Sequence, residues 1–118
     1  MAAVDSLKKL DGFLAGALVD SSSGMMLESV LSGNFPIEVA AAVNTDVLRA
    51  KLKAMDAINM EDDAIEDILI SLGTQYHLLR PLRSNQEIFL YISLERSRAN
   101  LALARLELKK VESSIRNI

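Results

Sequence analysis

Residues 36–58 read Pro36-Ile-Glu-Val-Ala-Ala-Ala-Val-Asn-Thr-Asp-Val-Leu-Arg-Ala-Lys-Leu-Lys-Ala-Met-Asp-Ala-Ile58. Proline suits a first helical position, where its missing N–H would be unpaired anyway, and the apolar residues after it recur at helical spacing. At about 100° per residue with Val39 at zero, Val39, Val43, Val47, Ala50, Ala54 and Ala57 fall between about 0° and 80°. Ile37, Ala41, Leu48, Leu52 and Met55 fall between about 160° and 220°. Glu38, Thr45, Asp46, Arg49, Lys53 and Asp56 fill the arc from about 240° to 340°, with Asn44 and Lys51 between the two stripes. A surface helix of a monomer carries one apolar stripe about 100° wide; here two stripes jointly span more than half the circumference. One suits the helix's own sheet. The other, small and β-branched, suits close approach of a second helix. The alternative is a helix sunk deep in its own core; Asn44 and Lys51 count against it, because isolated polar groups are costly there.

Upstream, Val4, Leu7 and Leu10 give a short helical spacing that Gly12 ends. Phe13 to Val19 reads as a strand buried on both faces, and Asp20 to Gly24 as a turn in which Gly24 takes positive φ. Met25 to Ser29 returns as a second strand, so 13–29 is a hairpin; without GxxxxGK[ST], its loop is no phosphate cradle. Residues 31–35 are loop. Downstream, the acidic loop Met60–Asp63 precedes three strand-like runs, Ile65–Leu72, Thr74–Leu82 and Glu87–Leu94. Gly73 turns the first pair and Arg83–Gln86 the second. Ile68, Ile70 and Leu72 alternate, as do Ile88, Leu90, Ile92 and Leu94, while Pro81 predicts an edge-like or terminating position. Ser97 is read as the N-cap of a last helix. Its single stripe of Leu101, Ala104, Leu108, Val111, Ile115 and Ile118 suits docking on the sheet. Leu103 and Leu106 form a second patch with no assigned role.

The chain has 118 residues, 50% hydrophobic and 4% aromatic, with net charge −3 and no cysteine. That length suits one domain over 1–118, and the apolar fraction is too high for disorder. No disulfide framework or thiolate metal site is available. Residues 1–95 carry 7 basic and 14 acidic side chains, whereas 96–118 carry 6 basic and 2 acidic. The basic segment rides on an apolar-periodic helix and is interrupted by Glu107 and Glu112, the pattern of a solvated face. An acidic chain with few, dispersed aromatics argues against nucleic-acid binding. The longest apolar run, Phe13–Val19, is too short to span a membrane. Lys8 and Lys9 before it imitate a signal peptide, but Asp5 and Asp11 flank them and no A-x-A site follows. The expected location is the cytoplasm.

No enzyme site can be assembled. His77, the one histidine, lies in a strand pattern without a nucleophile motif, so it reads as structural. Asp62, Asp63, Glu66 and Asp67 do not match an EF-hand loop and read as solvated charge. No metal or cofactor is expected, and no catalytic motif appears.

The order α-β-β-α-β-β-β-α, with three local motifs, resembles the roadblock/dynein light chain family over nearly the whole chain. Gly16-Ala-Leu-Val-Asp-Ser-Ser-Ser-Gly-Met-Met-Leu27 is similar to the family's G-x-x-hydrophobic-D-x-x-G hairpin. Leu78-Leu-Arg-Pro-Leu82 resembles its fourth strand, and Ser97-Arg-Ala-Asn-Leu-Ala-Leu-Ala-Arg105 the opening of the last helix in bacterial and archaeal members. The resemblance implies an α+β, profilin-like roadblock fold: a five-stranded antiparallel sheet with helices on both faces. It also implies a dimer in which third strands pair edge to edge and long helices lie side by side. Applied to this chain, the dimer interface would use Val39, Val43, Val47, Ala50 and Ala54 with Ile65, Ile68, Leu69 and Ile70. Such a dimer would cover an exposed strand edge. The implied function is non-catalytic: a homodimeric regulator or activating partner of a small Ras-like GTPase, offering Glu38, Asp46, Arg49 and Lys53. The alternative is a scaffold or light-chain subunit with no nucleotide-linked partner. A small-molecule sensor ranks last, since no convergent polar cluster recommends it.

Overall fold

The computed structural model describes residues 2–115, so Arg116 of the basic segment and Ile118 of the last stripe lie outside the described residues. The elements run from a 3₁₀ helix (Ala3–Lys9) through strands β1 (Phe13–Asp20) and β2 (Met25–Leu31) to helix α1 (Ile37–Ala57). Strands β3 (Ile68–Ser71), β4 (Gln75–Leu82) and β5 (Asn85–Glu95) follow, and helix α2 (Leu101–Ser114) closes the series. The sheet is antiparallel in the order β2-β1-β5-β4-β3, leaving β2 and β3 at its edges.

β1 is buried on both faces, and its small residues let both layers approach. A Cβ on Gly16 would lie 3.1 Å from Leu7 of the 3₁₀ helix. On that face Val4 and Leu7 join Ala104, Leu108 and Val111 of α2 over Leu18, Leu78, Leu90 and Ile92. On the opposite face Ile37, Ala41, Leu48 and Met55 of α1 pack with Ala15, Ala17, Val19, Leu79, Phe89 and Tyr91. This is the expected α+β arrangement, a five-stranded sheet with helices on both faces. The opening segment is a 3₁₀ rather than an α-helix, and β2 runs two residues past Ser29.

Several boundaries move, each for a physical reason. Pro36 is the N-cap of α1, its carbonyl accepting from Ala40 N–H at 3.0 Å. The helix stops because Asn59 takes φ 60°, which lets Met60 N–H reach Met55 O at 2.8 Å and Asn59 N–H reach Asp56 O at 3.1 Å. These two bonds satisfy the last carbonyls of the helix. β3 is half the length expected from Ile65–Leu72. Ile65 is buried in the core below α1, its N–H donates to Gln86 Oε1 at 3.0 Å, and Arg105 grips Asp67 through two bonds of 2.9 and 3.2 Å. These contacts hold residues 65–67 off the β4 ladder.

The β4–β5 turn is only Arg83-Ser84, because Leu82 pairs with Asn85. Pro81 sits in an interior strand, yet β3 reaches no further along β4 than Leu79, so Pro81 has no ladder partner on that side. The terminating role expected of it is therefore met locally. Ser97 does not cap α2. Both Arg98 and Ala99 N–H donate to Glu95 O at 3.1 Å, closing a turn first, and Ser97 Oγ donates to Glu95 Oε1. Asn100 is the cap, accepting from Leu103 N–H at 3.1 Å.

Candidate functional site

α1 separates its two apolar stripes as the spacing predicts. Ile37, Ala41, Leu48 and Met55 are buried against the sheet, and Leu52 is half-buried. The other stripe faces solvent: Val39 is 64% exposed, Val43 53% and Val47 38%, with Ala50, Ala54 and Ala57 also exposed. Two polar residues behave differently from the wheel. Thr45, placed on the polar arc, is buried, with Oγ1 donating to Ala41 O at 2.8 Å. Asn44 is also buried, with Nδ2 donating to Ala40 O at 2.8 Å. Each side chain satisfies itself one turn back on its own helix, so it can face the core at small cost.

The edge strand β3 shares the α1 side of the sheet. Ile68 and Ile70 pack against the core beneath α1, whereas Leu69 points to the opposite core. All three are half-buried. Of the residues assigned to the interface, Val39, Val43, Val47, Ala50 and Ala54 therefore form one exposed stripe, and Ile68, Leu69 and Ile70 form a strand edge with no neighbouring strand among the described residues. Ile65 departs from them, since its side chain is spent inside the protomer's own core. Ile58, 60% exposed, extends this surface beyond the stripe that the spacing defines. The same wheel puts it at about 100°, just past the edge of the outer stripe, so extending the arc by one position would have found it.

The flanking residues Glu38, Asp46, Arg49 and Lys53 are all exposed. Arg49 and Lys53 border a shallow groove of about 320 Å³ with Ser21, Ser22, Leu52, Asp56 and Glu87. The hairpin turn beside it is closed by its own hydrogen bonds. Asp20 accepts from both the N–H and the hydroxyl of Ser22 at 2.9 and 2.6 Å, which holds its carboxyl below the usual carboxylate range. Gly24, at φ 76°, returns its N–H to Asp20 O.

His77 belongs to an internal polar cluster. Nε2 lies 2.7 Å from Gln75 Oε1, which also accepts from Ser93 Oγ at 3.2 Å. Its ring meets those of Tyr91 and Phe35 edge to face. Burial lowers the His77 pKa and pushes the Tyr91 phenol up to about 12, against a hydrogen bond from Ser93 that lowers it. The cluster joins β4 and β5 to the segment before α1, and the Ser93 hydroxyl in it bonds to Gln75. Among the described residues no group of three or more His, Asp or Glu side chains is placed to hold a metal ion, and no helix is long and apolar enough to cross a membrane.

No protein-family model matches the sequence, and no curated protein matches it. Solved structures do match the fold. Myxococcus xanthus MglB aligns at 18% identity with a TM-score of 0.78, covering 94% of this chain and 86% of that one. A roadblock/LC7 domain from Streptomyces avermitilis aligns at 14% identity and TM-score 0.73, covering 92% and 86%. A structure described as MglB with tetrameric arrangement aligns at 11% identity and TM-score 0.79, covering 95% and 81%. With its sheet order, its two helical layers and these alignments together, the chain has the roadblock fold.

Proposed function

We propose that the chain is a one-domain, non-catalytic binding module that works as a homodimer and regulates a small Ras-like GTPase in the cytoplasm. The observation that carries this reading is the outer face of α1, where Val39, Val43 and Val47 stand in solvent on the same side of the sheet as the open edge of β3. Exposed apolar patches of this kind mark contact surfaces, and an unpaired strand edge is a template for another strand. A two-fold axis at β3 would let the Ile68–Ser71 edges pair and the valine stripes, with Ala50 and Ala54, pack together. Glu38, Asp46, Arg49 and Lys53 would stay on the flank of such a dimer and form the surface offered to the GTPase. The roadblock fold shared with MglB, one form of which is described as tetrameric, supports an assembly of more than one chain. The module needs no cofactor.

The test is affinity capture from source-organism lysate loaded with GDP or with a non-hydrolysable GTP analogue, read by mass spectrometry. A Ras-like GTPase enriched with one nucleotide only is the expected result. The same partners with either nucleotide would instead favour the scaffold or light-chain reading.

A further inference from the structure

Arg80 is a buried cation with most of its donors unused. Its side chain is 8% exposed, and Nε donates to Glu112 Oε1 at 2.7 Å. Glu112 accepts on both oxygens, by that bond and by the Arg83 N–H on the other, also at 2.7 Å. A guanidinium carries five N–H donors in a rigid fork, and among the described residues no acceptor meets the terminal nitrogens of Arg80. Those nitrogens are not sealed in, since no buried side-chain nitrogen or oxygen of the described residues lacks a partner. They open on a cleft of about 340 Å³ that Arg80 lines with Arg83, Lys109 and Glu66. Arg83 and Lys109 are exposed and make no ion pair among the described residues.

The cleft is held in shape by its neighbours. The Arg105–Asp67 pair fastens the segment carrying Glu66 to α2, and Glu112 fastens the β4–β5 turn to α2. Glu112 neutralises Arg80, and Glu66 offsets one of the two remaining cations, so the cleft keeps a net positive charge. A planar fork with free terminal N–H groups, flanked by two exposed cations, suits a tetrahedral dianion. The geometry points to a binding site for a phosphate group at the junction of β4, the β4–β5 turn and α2. It shares no residue with the α1 and β3 surface, so its failure would leave the reading above intact.

Two sources of that group are open to test: free phosphate, or a phosphorylated side chain of a partner. Inorganic phosphate, a short phosphoserine peptide and acetate are titrated separately into the ¹⁵N-labelled chain at low chloride, following amide shifts. Phosphate or the peptide should shift Arg83, Lys109 and Glu112 saturably, with acetate much weaker. The tighter of the two assigns the source. Arg83→Gln with Lys109→Gln leaves the Arg80–Glu112 pair intact, so the variant should fold. It should weaken binding about tenfold, as loss of two exposed charge contacts implies. Glu66→Gln should tighten it. Non-saturable shifts, an equal response to acetate, or unchanged affinity in the double variant would overturn the proposal.

Discussion

α1 and α2 cover opposite faces of one sheet but are fastened to it by different means. Every ion pair found among the described residues ends on α2: Lys9 on Glu107, Arg80 on Glu112 and Asp67 on Arg105. α1 has none. It is held to the sheet by its buried apolar stripe. Its outer face carries the exposed valine stripe, whereas that of α2 carries Lys109 and Lys110 beside exposed Leu103 and Leu106. Charge tethers set how α2 sits on the sheet. An exposed apolar stripe like that of α1 is the kind of surface that marks contact sites. The two helices therefore differ in how they are fastened: α2 by charge pairs to the rest of the chain, α1 by apolar burial.

The largest expected effect attacks the tethering of α2. Arg80→Ala strands Glu112 at a largely buried site and should cost about 3–5 kcal/mol in denaturant unfolding. Lys9→Ala removes the 64%-exposed partner of Glu107, which keeps the Ser6 hydroxyl as a donor, and should cost less, about 1 kcal/mol. Equal costs would erase the distinction between buried and surface tethers. On the α1 side, Leu48→Ala, fully buried below the helix, should cost about 2–5 kcal/mol. Changing Val43 should leave protomer stability within about 0.5 kcal/mol. A smaller effect separates the two candidate caps of α2: Asn100→Ala should cost about 1 kcal/mol and Ser97→Ala much less.

The mildest prediction concerns pH on the α1 face. Burial lowers the His77 pKa in the folded chain, so the unfolded chain takes up this proton first as pH falls. The stability that neutral His77 contributes is complete above the ordinary histidine value of 6.5 and is lost progressively below it, down to the lowered folded value. His77→Gln should flatten the stability profile in that window. An unchanged slope would show that the ring is not desolvated by Phe35 and Tyr91.

What could be read without coordinates was the local periodicity. The two stripes of residues 36–58, the alternation in residues 88–94 and the single stripe of α2 are properties of near neighbours, and each appears in the fold. What failed depended on distant partners. Asp67 is shortened out of its strand by Arg105, 38 residues away. Ser97 and Asn100 are both capping residues, and the choice between them is made when Glu95 O captures Arg98 and Ala99. Thr45 looked polar on the wheel because nothing in the spacing says that its hydroxyl will bond back to Ala41. Arg80 in an apolar strand gave no hint that its guanidinium would be buried yet unsaturated, since that follows from where Glu112 arrives.

The valine stripe of α1 is the centre of the account, and sedimentation equilibrium of the wild-type chain and Val43→Asp tests it most directly. Val43 is 53% exposed in the protomer, so the aspartate is harmless to folding there but would be an unpaired buried charge in a dimer. The account predicts wild type at twice the 12.9 kDa chain mass, and the variant at the single-chain mass with an unchanged unfolding midpoint. A wild-type monomer, or a variant that stays dimeric, would contradict it.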